Sequence, residues 1–255
     1  MKQNKHSLTR LQLAKTICDK FVETFQRQIL SFIVYGSVAL GTAHKDSDID
    51  IQVLSDSPEN LTGRKAQNIL SSAQKKSGFK IVINVKSPAT ILSELVRGDT
   101  FHVLLFLNGT CLLRSQMFSS LRTLIETKEL PTKSIVKNKI REEIENWTEE
   151  FYSYRLRDFM SDMSISIFQY IAYRRVQSNT FETWSEQENK IQRSSEHMPA
   201  IEELLPEYSD CLRKFLELND NITTTETDFT YDSDLDLIQL LVSARHIMQE
   251  IETAI

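Results

Sequence analysis

The segment over residues 31–54 constrains the fold most, because it contains two different strand patterns in close succession. Residues 31–35 (SFIVY) form a continuous apolar run that ends at Gly36, which is typical of a buried strand breaking into a turn. Residues 47–54 alternate instead, with Ile49, Ile51 and Val53 on one face and Asp48, Asp50 and Gln52 on the other. The second strand therefore has one apolar face and one face that bears carboxylates.

Helices and strands alternate through the rest of the first half. The apolar spacing predicts helices over 8–29, 58–76 and 88–98, and a third strand over 79–86. Asn108-Gly109 lies between apolar flanks within 101–114, which predicts a hairpin of two more short strands. This half is expected to be a mixed sheet with flanking helices.

The pattern changes after Pro131, where helix-forming residues with apolar spacing replace strand signals. Four helices are predicted, over 134–160, 161–177, 199–218 and 233–251, and four such helices would form an antiparallel bundle. We therefore predict an α+β chain with one domain over 1–131 and an all-α helical bundle over 132–255.

Composition excludes several classes of protein. The 255 residues carry 30 basic and 35 acidic side chains, a formal net charge of −5, so nucleic acid is not an expected partner. No stretch approaches the roughly 18 apolar residues of a membrane span, and we expect a soluble protein in the cytoplasm with no membrane partner. Cys18, Cys111 and Cys211 are far apart and match neither a disulfide framework nor a zinc site.

The turn after the first strand and the acidic face of the second are suited to a nucleoside triphosphate. Backbone N–H groups and the Ser37 hydroxyl at the Gly36 turn would hold phosphate oxygens. Asp48 and Asp50 project to the same side and offer the hard oxygen ligands that Mg²⁺ needs when it also binds phosphates. Mg²⁺ and NTP are thus the predicted ligands.

An Asp-x-Asp sequence alone is weak evidence, because the chain contains it elsewhere. Asp234-Leu235-Asp236 has no glycine turn before it and leads into a helical pattern, so we interpret those acids as helix N-terminal residues. The early copy differs because a strand, Gly36-Ser37 and a second glycine precede it.

In that ordered context, residues 36–53 (GSVALGTAHKDSDIDIQV) resemble the signature of the DNA polymerase β superfamily of nucleotidyltransferases, especially the small prokaryotic and kanamycin nucleotidyltransferase types. The resemblance extends over about residues 31–114. It implies a mixed sheet with flanking helices, two Mg²⁺ ions, transfer of a nucleoside monophosphate from NTP to a hydroxyl, and release of pyrophosphate. Several members pair this domain with a helical bundle.

The sequence departs from the family pattern at two places. Family enzymes usually carry a third carboxylate on a later strand, and the matching position here is Asn84, which could still ligate a metal but not act as a base. Arginines that often follow Gly-Ser are replaced by Val38 and Leu40, so phosphate contacts would depend on Lys45, or on His44 or Lys86.

Three functions are compatible with these residues. The first is an enzyme that transfers NMP, with ATP as the expected donor, to a hydroxyl of a small molecule or a protein; the others are a catalytically weakened NTP-binding module and an antitoxin-like interaction protein. The resemblance to the kanamycin enzyme implies that a glutamate of the second domain could act as the base. The predicted helix 134–160 contains several glutamates, and the sequence favours none of them. Homodimerisation is left open. The candidates for a glutamate base are Glu142, Glu143, Glu145, Glu149 and Glu150.

Overall fold

The computed structural model describes residues 4–150, residues 163, 166, 167, 169, 170 and 173, and residues 234–255. The chain separates into two compact units, Met1–Thr132 and Lys133–Ile255. The predicted division into two domains, 1–131 and 132–255, stays a prediction.

The first unit alternates helices and strands, and the described part of the second is helical. The elements are α1 (Lys5–Phe25), a short 3-10 helix (Gln26–Gln28), β1 (Ile29–Tyr35), α2 (Gly36–Leu40), β2 (Ile49–Ser55), α3 (Pro58–Leu61), α4 (Arg64–Ser77), β3 (Ile81–Lys86), α5 (Pro88–Val96), α6 (Thr100–Asn108), β4 (Thr110–Leu113), α7 (Gln116–Glu126), α8 (Lys133–Glu150) and α9 (Asp234–Ala254).

The four strands form one mixed sheet in the order β3-β2-β1-β4. Strand β1 is antiparallel to both β2 and β4, whereas β2 and β3 are parallel. In this register Asp50 lies opposite Tyr35 on one side and opposite Val82 on the other. The predicted α+β fold with a mixed sheet and flanking helices is confirmed.

The two faces of β2 have the predicted characters. Ile49, Ile51 and Val53 are fully buried in a core that also contains Ile17 and Phe21 of α1. Apolar residues of α4 pack against the same core. Since side chains alternate along a strand, Asp50 projects to the opposite face of the sheet. Helix α1 thus stabilises the sheet from the face that carries no carboxylates.

The predicted hairpin around Asn108-Gly109 is half wrong. Residues 100–108 form helix α6, and only the residues after Gly109 form a strand. The Asp99 side chain accepts a hydrogen bond from the Phe101 N–H at 2.8 Å and caps this helix. Gly109 has an ordinary φ of −63°, and a Cβ there would lie 2.5 Å from the Leu105 oxygen and 2.6 Å from Ile33. Glycine is therefore needed for close packing rather than for a hairpin turn.

Two other expectations are adjusted, and one helix was not expected. Helix α1 ends at Phe25, before the predicted residue 29, and the polar helix over 58–76 is broken into α3 and α4 at Gly63. Helix α7 was not predicted.

In the second unit, α8 and α9 are joined by polar contacts. Arg141 donates to Glu252 at 2.7 Å through Nε, and Lys133 Nζ donates to the Ile255 carbonyl at 2.9 Å. The predicted helix over 199–218 lies outside the described residues, so the bundle stays a prediction. Among the helices that the structure describes, none has the length and apolarity needed to cross a membrane.

Candidate active site

The Gly36 turn packs directly on the carboxylate of Asp50. Gly36 adopts φ +66°, a left-handed conformation that side chains other than glycine rarely take. A Cβ at this position would lie only 2.8 Å from Asp50 Oδ2. Glycine is therefore required twice here, by the backbone conformation and by the contact with Asp50.

Asp48 and Asp50 lie at the start of β2, where Asp48 directly precedes the strand. The pKa of Asp50 is raised to about 6, mainly by burial and also by the charge of Asp48, while Lys80 opposes both effects. Lys80 Nζ is 3.6 Å from Asp48 Oδ2, but the lysine side chain is largely exposed, so this ion pair contributes little. The two carboxylates form a site of concentrated negative charge that a cation would relieve.

Ser37 and Lys45, the other two candidates for binding phosphate, differ in how exposed they are. Ser37 is half-buried in the first turn of α2, and its carbonyl accepts hydrogen bonds from the N–H groups of Thr42 and Ala43 at 2.9 and 3.1 Å. The Lys45 side chain is 83% exposed, with its Nζ 4.0 Å from Asp46. The structure thus brings Gly36 into contact with Asp50 and leaves Lys45 in solvent.

The register of β2 and β3 places Asn84 opposite Gln52, while Val82 lies opposite Asp50. Asn84 does share the face of the sheet that carries Asp50, since both positions alternate with the core residues. The side chain directly beside Asp50 on β3 is nevertheless apolar. A third carboxylate is therefore missing at position 82 as well as at position 84.

A second group of ionisable side chains lies where β3, α5 and α6 meet. Lys86 Nζ donates to Glu94 Oε1 at 2.7 Å, and His102 Nδ1 is 2.5 Å from Asp99 Oδ2 and 3.5 Å from Glu94 Oε2. Glu94, Asp99 and His102 bring three ligand atoms within 4.8 Å of one another, as a metal site would. The Lys86 ammonium already supplies the positive charge beside Glu94, so this group needs no metal ion for charge balance. Lys86 is thereby paired with Glu94 rather than held ready for phosphate.

Asp99 is expected to stabilise the fold in a pH-dependent way. Burial alone would raise the pKa of Asp99, but its hydrogen bond with His102, the His102 charge, the Phe101 N–H and Lys86 together lower it. A lowered folded-state pKa gives stability that is present above the ordinary aspartate value of about 3.9 and is lost as pH falls through the folded value. Asp99→Asn should therefore melt below the parent protein at pH 7, and the difference should shrink toward pH 3. A constant difference in thermal melts across that range would contradict this origin.

Sequence reasoning missed Arg10 and Lys80. Arg10 lies on the buried stripe of α1 with Ser7, Ala14 and Ile17, and only 1% of it is exposed. A cation on the buried stripe of an amphipathic helix was the available signal. Lys80, which pairs with Asp48, carries no comparable signal because it is a largely exposed lysine directly before β3.

Residues 14–99 match a protein-family model described as a nucleotidyltransferase domain. The match begins within α1 and includes Gly36, Ser37, Asp48 and Asp50. The first unit therefore contains a nucleotidyltransferase domain, and the resemblance inferred from the signature residues is confirmed at that level. This family consists of domains for NTP-dependent nucleotidyl transfer.

Comparison with curated proteins gives no match. One solved structure that resembles the chain is described as "Crystal structure of the toxin-antitoxin with AMP-PNP". The two are 14% identical, the similarity covers 52% of this chain and 96% of that one, and the TM-score is 0.36. A similarity of this size carries no conclusion about the present chain.

Proposed function

We propose that the chain is a Mg²⁺-dependent nucleotidyltransferase that moves AMP from ATP to a hydroxyl of a small molecule or a protein. One observation carries this proposal: the Gly36 turn is packed against Asp50, so that a Cβ at position 36 would lie 2.8 Å from Asp50 Oδ2. This supports the proposal because nucleotidyl transfer needs a turn suited to phosphate beside carboxylates suited to Mg²⁺: Gly36 and Ser37 would hold the triphosphate, and Asp48 and Asp50 would hold a metal that offsets its charge.

The donor set fits Mg²⁺. Asp48 and Asp50 supply hard anionic oxygens, and the raised pKa of Asp50 reflects burial and carboxylate repulsion that a cation would offset. Bound Mg²⁺ would neutralise charge on the triphosphate and favour loss of pyrophosphate. Asn84 remains a candidate for a further, uncharged ligand.

In the proposed reaction an acceptor hydroxyl oxygen attacks the α-phosphorus of ATP. The new bond joins that oxygen to the α-phosphorus, the bond from the α-phosphorus to the bridging oxygen breaks, and pyrophosphate leaves with the electron pair. The hydroxyl proton passes to a base or to water. Gly36 and Ser37 would orient the phosphates through backbone N–H groups and the serine hydroxyl, and Asp48 and Asp50 would fix the position of the reacting centre.

The direct test uses ATP labelled at the α-phosphate with Mg²⁺ and a panel of hydroxyl-bearing acceptors, including cationic aminoglycosides and the protein itself. We expect Mg²⁺-dependent binding of a non-hydrolysable ATP analogue by calorimetry, and transfer of label to one acceptor class with equimolar pyrophosphate. Absence of Mg²⁺-dependent nucleotide binding would contradict the proposal.

A second candidate, a nucleotide-binding module with weakened chemistry, is favoured by the apolar Val82 beside Asp50. The register makes a specific prediction. Val82→Asp would add a carboxylate beside Asp50 and should strengthen Mg²⁺ binding and raise pyrophosphate release, whereas Asn84→Asp would add one beside Gln52 and should have the smaller effect. Metal titration and a pyrophosphate assay on both variants compare them. A larger gain at position 84 would show that Asn84 takes the third-ligand role.

A further inference from the structure

The loop between α2 and β2 is held by side chains from the first turns of α1. Asn4 Nδ2 donates to the Ala43 carbonyl at 2.9 Å, and the Ala43 N–H donates to Ser7 Oγ at 3.1 Å. Both backbone groups of Ala43 are therefore bonded to the N-terminal end of α1, and the N–H is shared with the Ser37 carbonyl, also at 3.1 Å. This loop leads directly into Asp48.

Arg10 adds further contacts between α1 and this loop. Its Nε donates to the Ser47 carbonyl at 2.8 Å and its Nη2 donates to the Lys45 carbonyl at 2.6 Å. The guanidinium also lies 4.1 Å from the centre of the Phe79 ring, and Nη1 donates to the His6 carbonyl at 3.3 Å. A planar group with several fixed donors can bridge two carbonyls in this way, which an ammonium group cannot reproduce.

The loop is braced from within as well. The His44 N–H donates to Ser47 Oγ at 2.9 Å, so the residue next to Asp48 is held through its carbonyl by Arg10 and through its hydroxyl by the loop. Burying an arginine is costly unless its donors are satisfied. The donors of Arg10 are bonded mainly to backbone carbonyls of the loop. Its burial is therefore favourable only when the loop adopts this conformation.

We propose that Arg10 is a positioning residue that fixes the backbone before Asp48 and so holds the Asp48 carboxylate in place for the metal. This inference rests on the proposed function. Arg10, Ser7 and Asn4 all precede residue 14, where the nucleotidyltransferase match begins, so the support for the loop lies outside the matched segment.

The test compares Arg10→Lys with Ile17→Ala, a matched control on the same buried stripe of α1 that packs in the core. Calorimetry at several Mg²⁺ concentrations measures binding of the non-hydrolysable ATP analogue, and hydrogen exchange measures protection of the amides of Ala43, His44 and Ser47. All measurements are made on the full chain, well below the melting temperature of each variant.

We expect Arg10→Lys to need roughly tenfold more Mg²⁺ for half-maximal binding of the ATP analogue, because residues that orient metal ligands affect metal affinity. Binding should be restored at saturating Mg²⁺. Its loop amides should exchange faster, while Ile17→Ala changes neither property. An unchanged Mg²⁺ requirement in Arg10→Lys, or an equal shift in Ile17→Ala, would overturn the proposal. If the parent protein does not bind nucleotide in a Mg²⁺-dependent way, the proposed function fails. Unchanged hydrogen exchange of the loop amides in Arg10→Lys would separately refute the role of Arg10 in fixing the loop.

Discussion

Replacing Asp48 and Asp50 together by asparagine is expected to abolish Mg²⁺-dependent NTP binding. Asparagine keeps the size of each side chain but removes both negative charges, and neutral amide oxygens bind Mg²⁺ poorly without carboxylates beside them. Replacing residues that only hydrogen-bond to metal ligands lowers metal affinity by roughly 10- to 100-fold. Replacing two direct ligands should therefore lower Mg²⁺ affinity by more than about a hundredfold. Calorimetry with Mg²⁺ and a non-hydrolysable ATP analogue measures the effect.

The matched control is Asp46→Asn, in the same loop and two residues before Asp48. Asp46 is 73% exposed, so its replacement should leave Mg²⁺ affinity nearly unchanged. Asp50→Asn should not destabilise the fold at pH 7, because the raised pKa of Asp50 means that its ionisation costs stability above about pH 6. Full Mg²⁺-dependent binding by the double variant would refute the site assignment.

Gly36→Ala is expected to reduce nucleotide binding at least tenfold while lowering stability only modestly. Alanine at φ +66° costs about 1–2 kcal/mol. Its Cβ would also meet Asp50 Oδ2 at 2.8 Å, so the carboxylate has to move. The displaced group is a proposed metal ligand, and small displacements of such groups have large effects on affinity and rate.

Gly78→Ala separates the two contributions, because Gly78 has φ +74° but nothing within 4 Å of the position of a Cβ. Both alanine variants should therefore melt lower, but only Gly36→Ala should lose nucleotide affinity. Thermal melts and calorimetry on the pair provide the comparison. Equal nucleotide affinity in the two variants would mean that the contact between Gly36 and Asp50 is unimportant for binding.

The sequence was most informative where one face of an element is buried. Alternation over residues 47–54 predicted which side of β2 enters the core, because Ile49 and Asp50 differ so strongly in hydrophobicity. Helix α6 was not predicted because residues around its whole circumference are buried, including His102, Val103 and Phe106, so it shows no helical periodicity. The Asn108-Gly109 pair then favoured a turn that does not form.

The missed parts of the site depend on relations between distant residues. Asn84 was chosen from its position within one strand, whereas the partner of Asp50 depends on the register between strands, which selects Val82. Arg10 bonds to the carbonyls of Lys45 and Ser47, and backbone acceptors leave no trace in side-chain identity. Such contacts become visible only once the chain is folded.

The position of the loop-binding side chains in α1 affects how this protein can be dissected. A fragment limited to residues 14–99 would contain Gly36, Ser37, Asp48 and Asp50, yet it would lack Arg10 and the edge strand β4 that pairs with β1. Such a fragment would retain every signature residue without the groups that hold their loop and sheet. The smallest expression unit for the nucleotidyltransferase domain should therefore begin before Asn4 and extend beyond Leu113.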